Sequence, residues 1–93
     1  MKPKSSLPAA LKTIRKARGL SQEAFSDVSS RTYMSSLERG LKSPTLSKLE
    51  ELCEVMGVHP LTLLTLAYAG RSDVDKLFVH IRHELNILGL EEP

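Results

Sequence analysis

Every segment of this chain that could contribute to a core, the short stretch around Phe25 excepted, ends at a glycine. The five glycines, at positions 19, 40, 57, 70 and 89, each follow apolar residues spaced three and four apart, the pattern of a helix that buries one face. A glycine there takes the left-handed backbone that stops a helix with least strain. No run of Val, Ile, Thr and aromatic residues alternates with polar ones between turn signals, so no strand is predicted. The chain has to be all-α, a compact bundle of five to six short helices.

The starts are as legible as the stops. Pro8 suits a first helical turn, with Leu7, Leu11 and Ile14 on one face, so helix 1 runs near residues 8–18. Ser21 is a natural cap for a short helix carrying Ala24, Phe25 and Val28. Ser29 or Ser30 caps a third, with Met34 and Leu37 inward, and Thr45 a fourth, with the stripe Leu46, Leu49, Leu52, Cys53 and Met56. Pro60 opens a fifth. A sixth starts after Ser72, with Asp75 placed as in a capping box, and runs to Leu88. Only the first six residues and the last three are expected to fray. Residues 7–70 form one domain by this reading, with 71–90 a C-terminal helix packed on it.

Ninety-three residues are enough for one core and too few for a second, ligand-sensing domain. The single cysteine, Cys53, allows neither an internal disulfide nor a thiolate metal cluster, and it reads as a small core residue. His80, His83 and Glu84 lack the i, i+4 histidines of a zinc-binding helix and read as a solvated face. No phosphate-binding glycine loop, nucleophile motif or pair of catalytic carboxylates occurs, so neither an enzyme nor a cofactor, metal or small-molecule ligand is expected. With no membrane span and no signal-peptide layout, the chain is expected to be cytoplasmic.

The net charge of +2 conceals an asymmetry. Met1 to Lys48 carry ten Lys or Arg against three acids, whereas Leu49 onward carries three against eight. A first half of net +7 and a second of −5 suit a molecule that turns one side to a polyanion. Within the basic half, residues 21–40 have the plan of a helix-turn-helix. Phe25, Val28, Met34 and Leu37 point inward, while Gln22, Arg31, Thr32, Ser35, Ser36 and Arg39 point outward and can all hydrogen-bond. Small hydroxyls beside arginines allow close approach to base edges.

Four sequence words in order carry a resemblance: Gly19-Leu20-Ser21-Gln22-Glu23, then Arg31 through Gly40, then Pro44-Thr45-Leu46, and Met56 through Leu61. The chain resembles, over roughly residues 7–66, the phage repressor and Cro family of helix-turn-helix proteins, also called the xenobiotic-response-element type. The resemblance implies a lambda-repressor-like DNA-binding fold and roles by position. Gln22 would hold a phosphate; Arg31, Thr32, Ser36 and Arg39 would reach bases or nearby backbone; Tyr33, Lys42 and Ser43 would contact phosphates; Ser35, outward beside them, is a further DNA-binding candidate. Arg15 and Glu38 would bridge helix 1 to the recognition helix. The chemistry agrees: arginine pairs bidentately with guanine, Thr32 offers a methyl to thymine, and Lys42 a point charge to the backbone.

One feature departs from the family. Val28-Ser29-Ser30-Arg31 has no glycine and is about two residues shorter than the usual turn, and at ~100° per residue a gap set in the wrong place would turn the reading face by ~200°. Alignment on Met34, Leu37 and Gly40 puts the gap in the turn or in helix 2 and leaves Arg31 the least anchored position.

In the last helix Leu77, Phe78, Ile81, Leu85 and Leu88 recur beyond the helix-turn-helix core, expected to form a homodimer interface or else to pack back on their own domain. The expected function is a transcriptional regulator, such as a repressor, binding double-stranded DNA as a dimer on a palindromic operator. A protein-interaction module, antitoxin-like or adaptor, is the alternative.

Overall fold

The computed structural model describes residues 6–90. Six helical segments make up the fold, five of them α-helices: α1 (Leu7–Ala17), a 3-10 helix (Gln22–Phe25), α2 (Arg31–Glu38), α3 (Leu46–Met56), α4 (Pro60–Ala69) and α5 (Val74–Ile87). The chain is all-α, as the periodicity requires.

Most ends follow the capping chemistry read from the sequence. The hydroxyls of Ser30 and Thr45 accept hydrogen bonds from the backbone N–H groups of Tyr33 and Lys48, at 3.0 and 3.1 Å. Of the two candidate serines, Ser30 caps α2. His59 accepts from the N–H of Leu61 through Nδ1 at 3.0 Å, and Pro60 takes the adjoining position that has no N–H to satisfy.

Four expectations are corrected. Ser6, expected to fray, caps α1 by accepting from the N–H of Ala9; the other ends expected to fray, 1–5 and 91–93, lie outside the described residues. The second helix is a single 3-10 turn without a side-chain cap hydrogen bond, too short to present an inner stripe, so Phe25 is buried and Ala24 exposed. Leu46, placed in the α3 stripe, is exposed because the first turn of that helix overhangs the core. The cap of α5 is Asp73, with no side-chain capping bond, in place of Ser72 and a box with Asp75.

Phe25, Leu11, Met34, Leu37, Leu52, Leu63 and Cys53 are the large side chains sealed from solvent. They come from every segment except α5, so the core is one body that no single helix could build. Helix α4 lies at its centre, packed against α1, α3 and α5. Helix α5 contributes one buried residue, Leu77, and every residue from Phe78 to Leu90 is exposed. Leu77, expected in a dimer interface, is thereby a contact within the protomer. Ile81 and Glu84 still border a depression that Leu61, Leu64, Thr65 and Tyr68 of α4 line from the other side.

Candidate nucleic-acid interface

Helix α2 has eight residues and could not hold an orientation by itself. Three contacts hold it. The first is apolar: Met34 and Leu37 are inserted into the core beside Phe25.

The second is the pair expected from the sequence. Arg15 on α1 donates from Nε to Glu38 Oε2 at 2.6 Å and from Nη2 to Oε1 at 3.0 Å, the two-pronged geometry of guanidinium and carboxylate. Its remaining Nη1 donates to the Leu20 carbonyl at 2.7 Å. Gln22 donates to Glu38 Oε1 at 3.2 Å. The Arg15 and Glu38 side chains are 10% and 4% exposed, so water screens them little and this is an interior ion pair. Hydrogen bonding to Glu38 pushes the Arg15 guanidinium still further above its ordinary range, against the opposing effect of burial. One guanidinium thus ties α1, the loop before the 3-10 helix and the last turn of α2 together.

The third contact was not legible locally. Lys48, on the first turn of α3, donates its ammonium to the Val28 carbonyl in the short turn, and the same nitrogen lies 3.7 Å from Glu51. The N–H groups of Val28 and Ser29 both bond to the Phe25 carbonyl, at 2.9 and 2.8 Å. Among the described residues no non-glycine has positive φ, so this turn has no position that calls for glycine. The segment before it is a single 3-10 turn. A lysine 20 residues away carries no local signal of such a role.

The outer side of α2 is polar. Gln22, Arg31, Thr32, Ser35 and Arg39 line one shallow depression, and positions 32, 35 and 39 follow the i, i+3, i+7 spacing of a single helical face. Ser36 is the exception. Expected outward, it is 8% exposed, because a residue ~100° round from Ser35 is already turned toward the bundle. Gln22 faces the depression with its amide engaged by Glu38.

Arg31 Nη1 lies 3.2 Å from Glu23 Oε1, with both side chains about 70% exposed, so the pair holds the guanidinium weakly. Tyr33 is half-buried against the core, with Lys42 Nζ 5.7 Å from its ring centroid. Lys42 and Ser43 stand exposed beyond the C-terminus of α2. Elsewhere, His80 lies 3.3 Å from Glu84 on α5. Among the described residues no group of three or more His, Cys, Asp or Glu is arranged to hold a metal ion, and no single helix is long and apolar enough to cross a membrane.

A helix-turn-helix family model matches residues 11–63. A protein of Sinorhizobium fredii named as an uncharacterized HTH-type transcriptional regulator, y4dJ, is 43% identical over 54 residues, covering 56% of this chain and 70% of that protein. No solved structure matches. The family model's match runs from within α1 to the first turn of α4 and includes Arg15, Glu38 and Lys48. This chain belongs to the helix-turn-helix family of the phage repressor and Cro type, a family of non-enzymatic, DNA-binding regulators.

Proposed function

We propose that this protein binds duplex DNA sequence-specifically, as a dimer on a palindromic operator, and thereby represses or activates a neighbouring promoter. The carrying observation is the polar face of α2, with Thr32, Ser35 and Arg39 aligned on a helix held by an interior ion pair. Arg39 and Thr32 read base edges, Arg39 by bidentate bonding to guanine and Thr32 through its methyl to thymine. Ser35 is small enough to let the groove floor approach. Arg31, once released from Glu23, together with Lys42, Ser43 and Tyr33, holds phosphates. Gln22 approaches the backbone from the 3-10 turn. Arg15 and Glu38 orient the reading helix without touching DNA.

In this reading residues 7–70 are the DNA-binding domain and 71–90 the dimerising helix. The exposed apolar side chains of α5 favour dimerisation, which would present two reading helices to half-sites about one turn of DNA apart, ~34 Å. Such a regulator works in the cytoplasm, where bacterial DNA lies.

Selection of bound sites from random duplex DNA tests the proposal. Inverted repeats with half-site centres about one turn apart are expected, along with an affinity that falls steeply with salt. Absence of binding to any duplex at low salt would overturn it in favour of a protein-interaction module.

A further inference from the structure

Helices α1 and α5 both pack on α4, and an open trough of ≈ 590 Å³ follows α4 from His59 at its N-terminal cap to Gly70 at its C-terminal cap. Its apolar walls are Ile14 of α1, Leu61 and Leu66 of α4, and Val74 and Phe78 of α5. Leu61 and Phe78 are more than half exposed, so this surface is left to water. The volume lies within the ~300–1,000 Å³ of sites that hold small molecules. The lining is drawn from three helices and forms no motif, which is why the sequence raises no expectation of such a ligand.

The charge of the trough runs against that of its half of the chain. From Leu49 onward there are eight acids, yet none of them lines it, Asp73 and Asp75 included. Arg71 does. Gly70, at φ 65° and ψ −158°, holds a backbone conformation open to glycine and to hardly any other residue. It turns the chain at the end of α4 and sets Arg71 on the rim. Among the described residues Arg71 has no hydrogen-bond or ion-pair partner. His59, at the opposite end, is engaged in capping α4, accepting from the N–H of Leu61 through Nδ1.

We propose that the trough binds an anionic amphiphile, a straight apolar chain ending in a carboxylate, with the carboxylate on Arg71 and the chain laid along α4 toward His59. Each part of the trough selects that chemistry. A guanidinium meets a carboxylate through two parallel hydrogen bonds, and the walls cover an apolar chain. The ten residues of α4 extend ~15 Å. At ~1.2 Å per bond of an extended chain that is about twelve bonds, so a chain of roughly ten to twelve carbons fills it. A neutral apolar molecule leaves Arg71 unused, and a cationic amphiphile is repelled by it. The trough is separate from the polar face of α2, so the site stands or falls apart from the DNA reading.

Calorimetric titration of the full chain tests the assignment. The probes are decanoate, decanol and decyltrimethylammonium, which share one chain length and differ in head group, each kept below the concentration at which it forms micelles. Decanoate is expected to bind once per chain and about 10- to 100-fold more tightly than decanol, the range of a hydrogen bond to a charged group. Octanoate should bind about five- to tenfold more weakly than decanoate, since two methylenes leave a trough that is open on one side. Arg71 is exposed and lies between helices, so Arg71→Gln should erase the advantage of decanoate and leave decanol binding unchanged. Thr62 is an exposed part of the lining; Thr62→Trp fills the trough without touching the core and should weaken decanoate and decanol alike. Equal affinity for the three probes, or decanoate binding that Arg71→Gln or Thr62→Trp leaves unchanged, would overturn the site. So would the absence of saturable binding below the micellar concentration, the outcome expected if a second copy of the chain covers the trough. None of these outcomes bears on binding to duplex DNA.

Discussion

Replacing Arg15 with alanine removes three hydrogen bonds at once, two to Glu38 and one to the Leu20 carbonyl. A surface ion pair contributes only ~0–1 kcal/mol, whereas breaking an interior one costs ~3–5 kcal/mol by leaving a charge without its partner. Glu38 is nearly sealed from water and would keep the bond from Gln22, a neutral donor at 3.2 Å. The pair lies at the edge of the core, where water can enter once the arginine is gone, so the expected loss is about 3 kcal/mol, near the lower end of that range. For a domain of this size that lowers Tm by roughly 12–24 °C.

Glu38→Ala is expected to cost less, about 2 kcal/mol, because Arg15 keeps the Leu20 carbonyl and a long stem that can carry its charge to solvent. With both residues replaced no uncompensated charge remains, so the double variant should be no worse than Arg15→Ala alone. The assay is a double-mutant cycle by urea denaturation followed by circular dichroism, with duplex affinity measured on the same four proteins. A coupling energy of at least 1.5 kcal/mol is expected. Losses that add to within ~0.5 kcal/mol would refute the claim that this is one interior unit.

Lys48→Met keeps the aliphatic stem and removes the donor to the Val28 carbonyl; it should cost about 1 kcal/mol in urea unfolding and weaken duplex binding, and unchanged values of both would show that the turn holds itself. Arg39→Ala should lose about 1–3 kcal/mol on the selected site and far less on random duplex, whereas Lys42→Ala should weaken both alike and lower the slope of log affinity against log salt by about one. Equal losses on both sequences for Arg39→Ala would remove its assignment as a base reader. Burial pushes the Cys53 thiol up, so its thiolate is scarcer at a given pH than that of an exposed cysteine. Iodoacetamide labelling at pH 8 should therefore proceed at the rate of unfolding and accelerate in urea, and rapid labelling of the folded protein would contradict the placement.

Helix number and most boundaries follow from the sequence because they rest on local chemistry: a hydroxyl at residue 30 or 45, prolines at 8 and 60, a glycine after every apolar stripe except the one that carries Phe25. Arg15 and Glu38 were legible too, though only through resemblance to a family, since nothing in a 23-residue separation announces a contact. Tertiary structure decided the rest. Ser36 and Ser35 are chemically identical neighbours, and only the way α2 lies on the core buries one and leaves the other at the edge of the polar depression. The short turn reads as a defect until α3 brings Lys48 to it. The apolar stripe of α5 cannot show whether it packs at home or abroad, because periodicity measures the width of a face and not what covers it; the fold buries Leu77 against its own bundle and leaves Phe78 to Leu90 exposed.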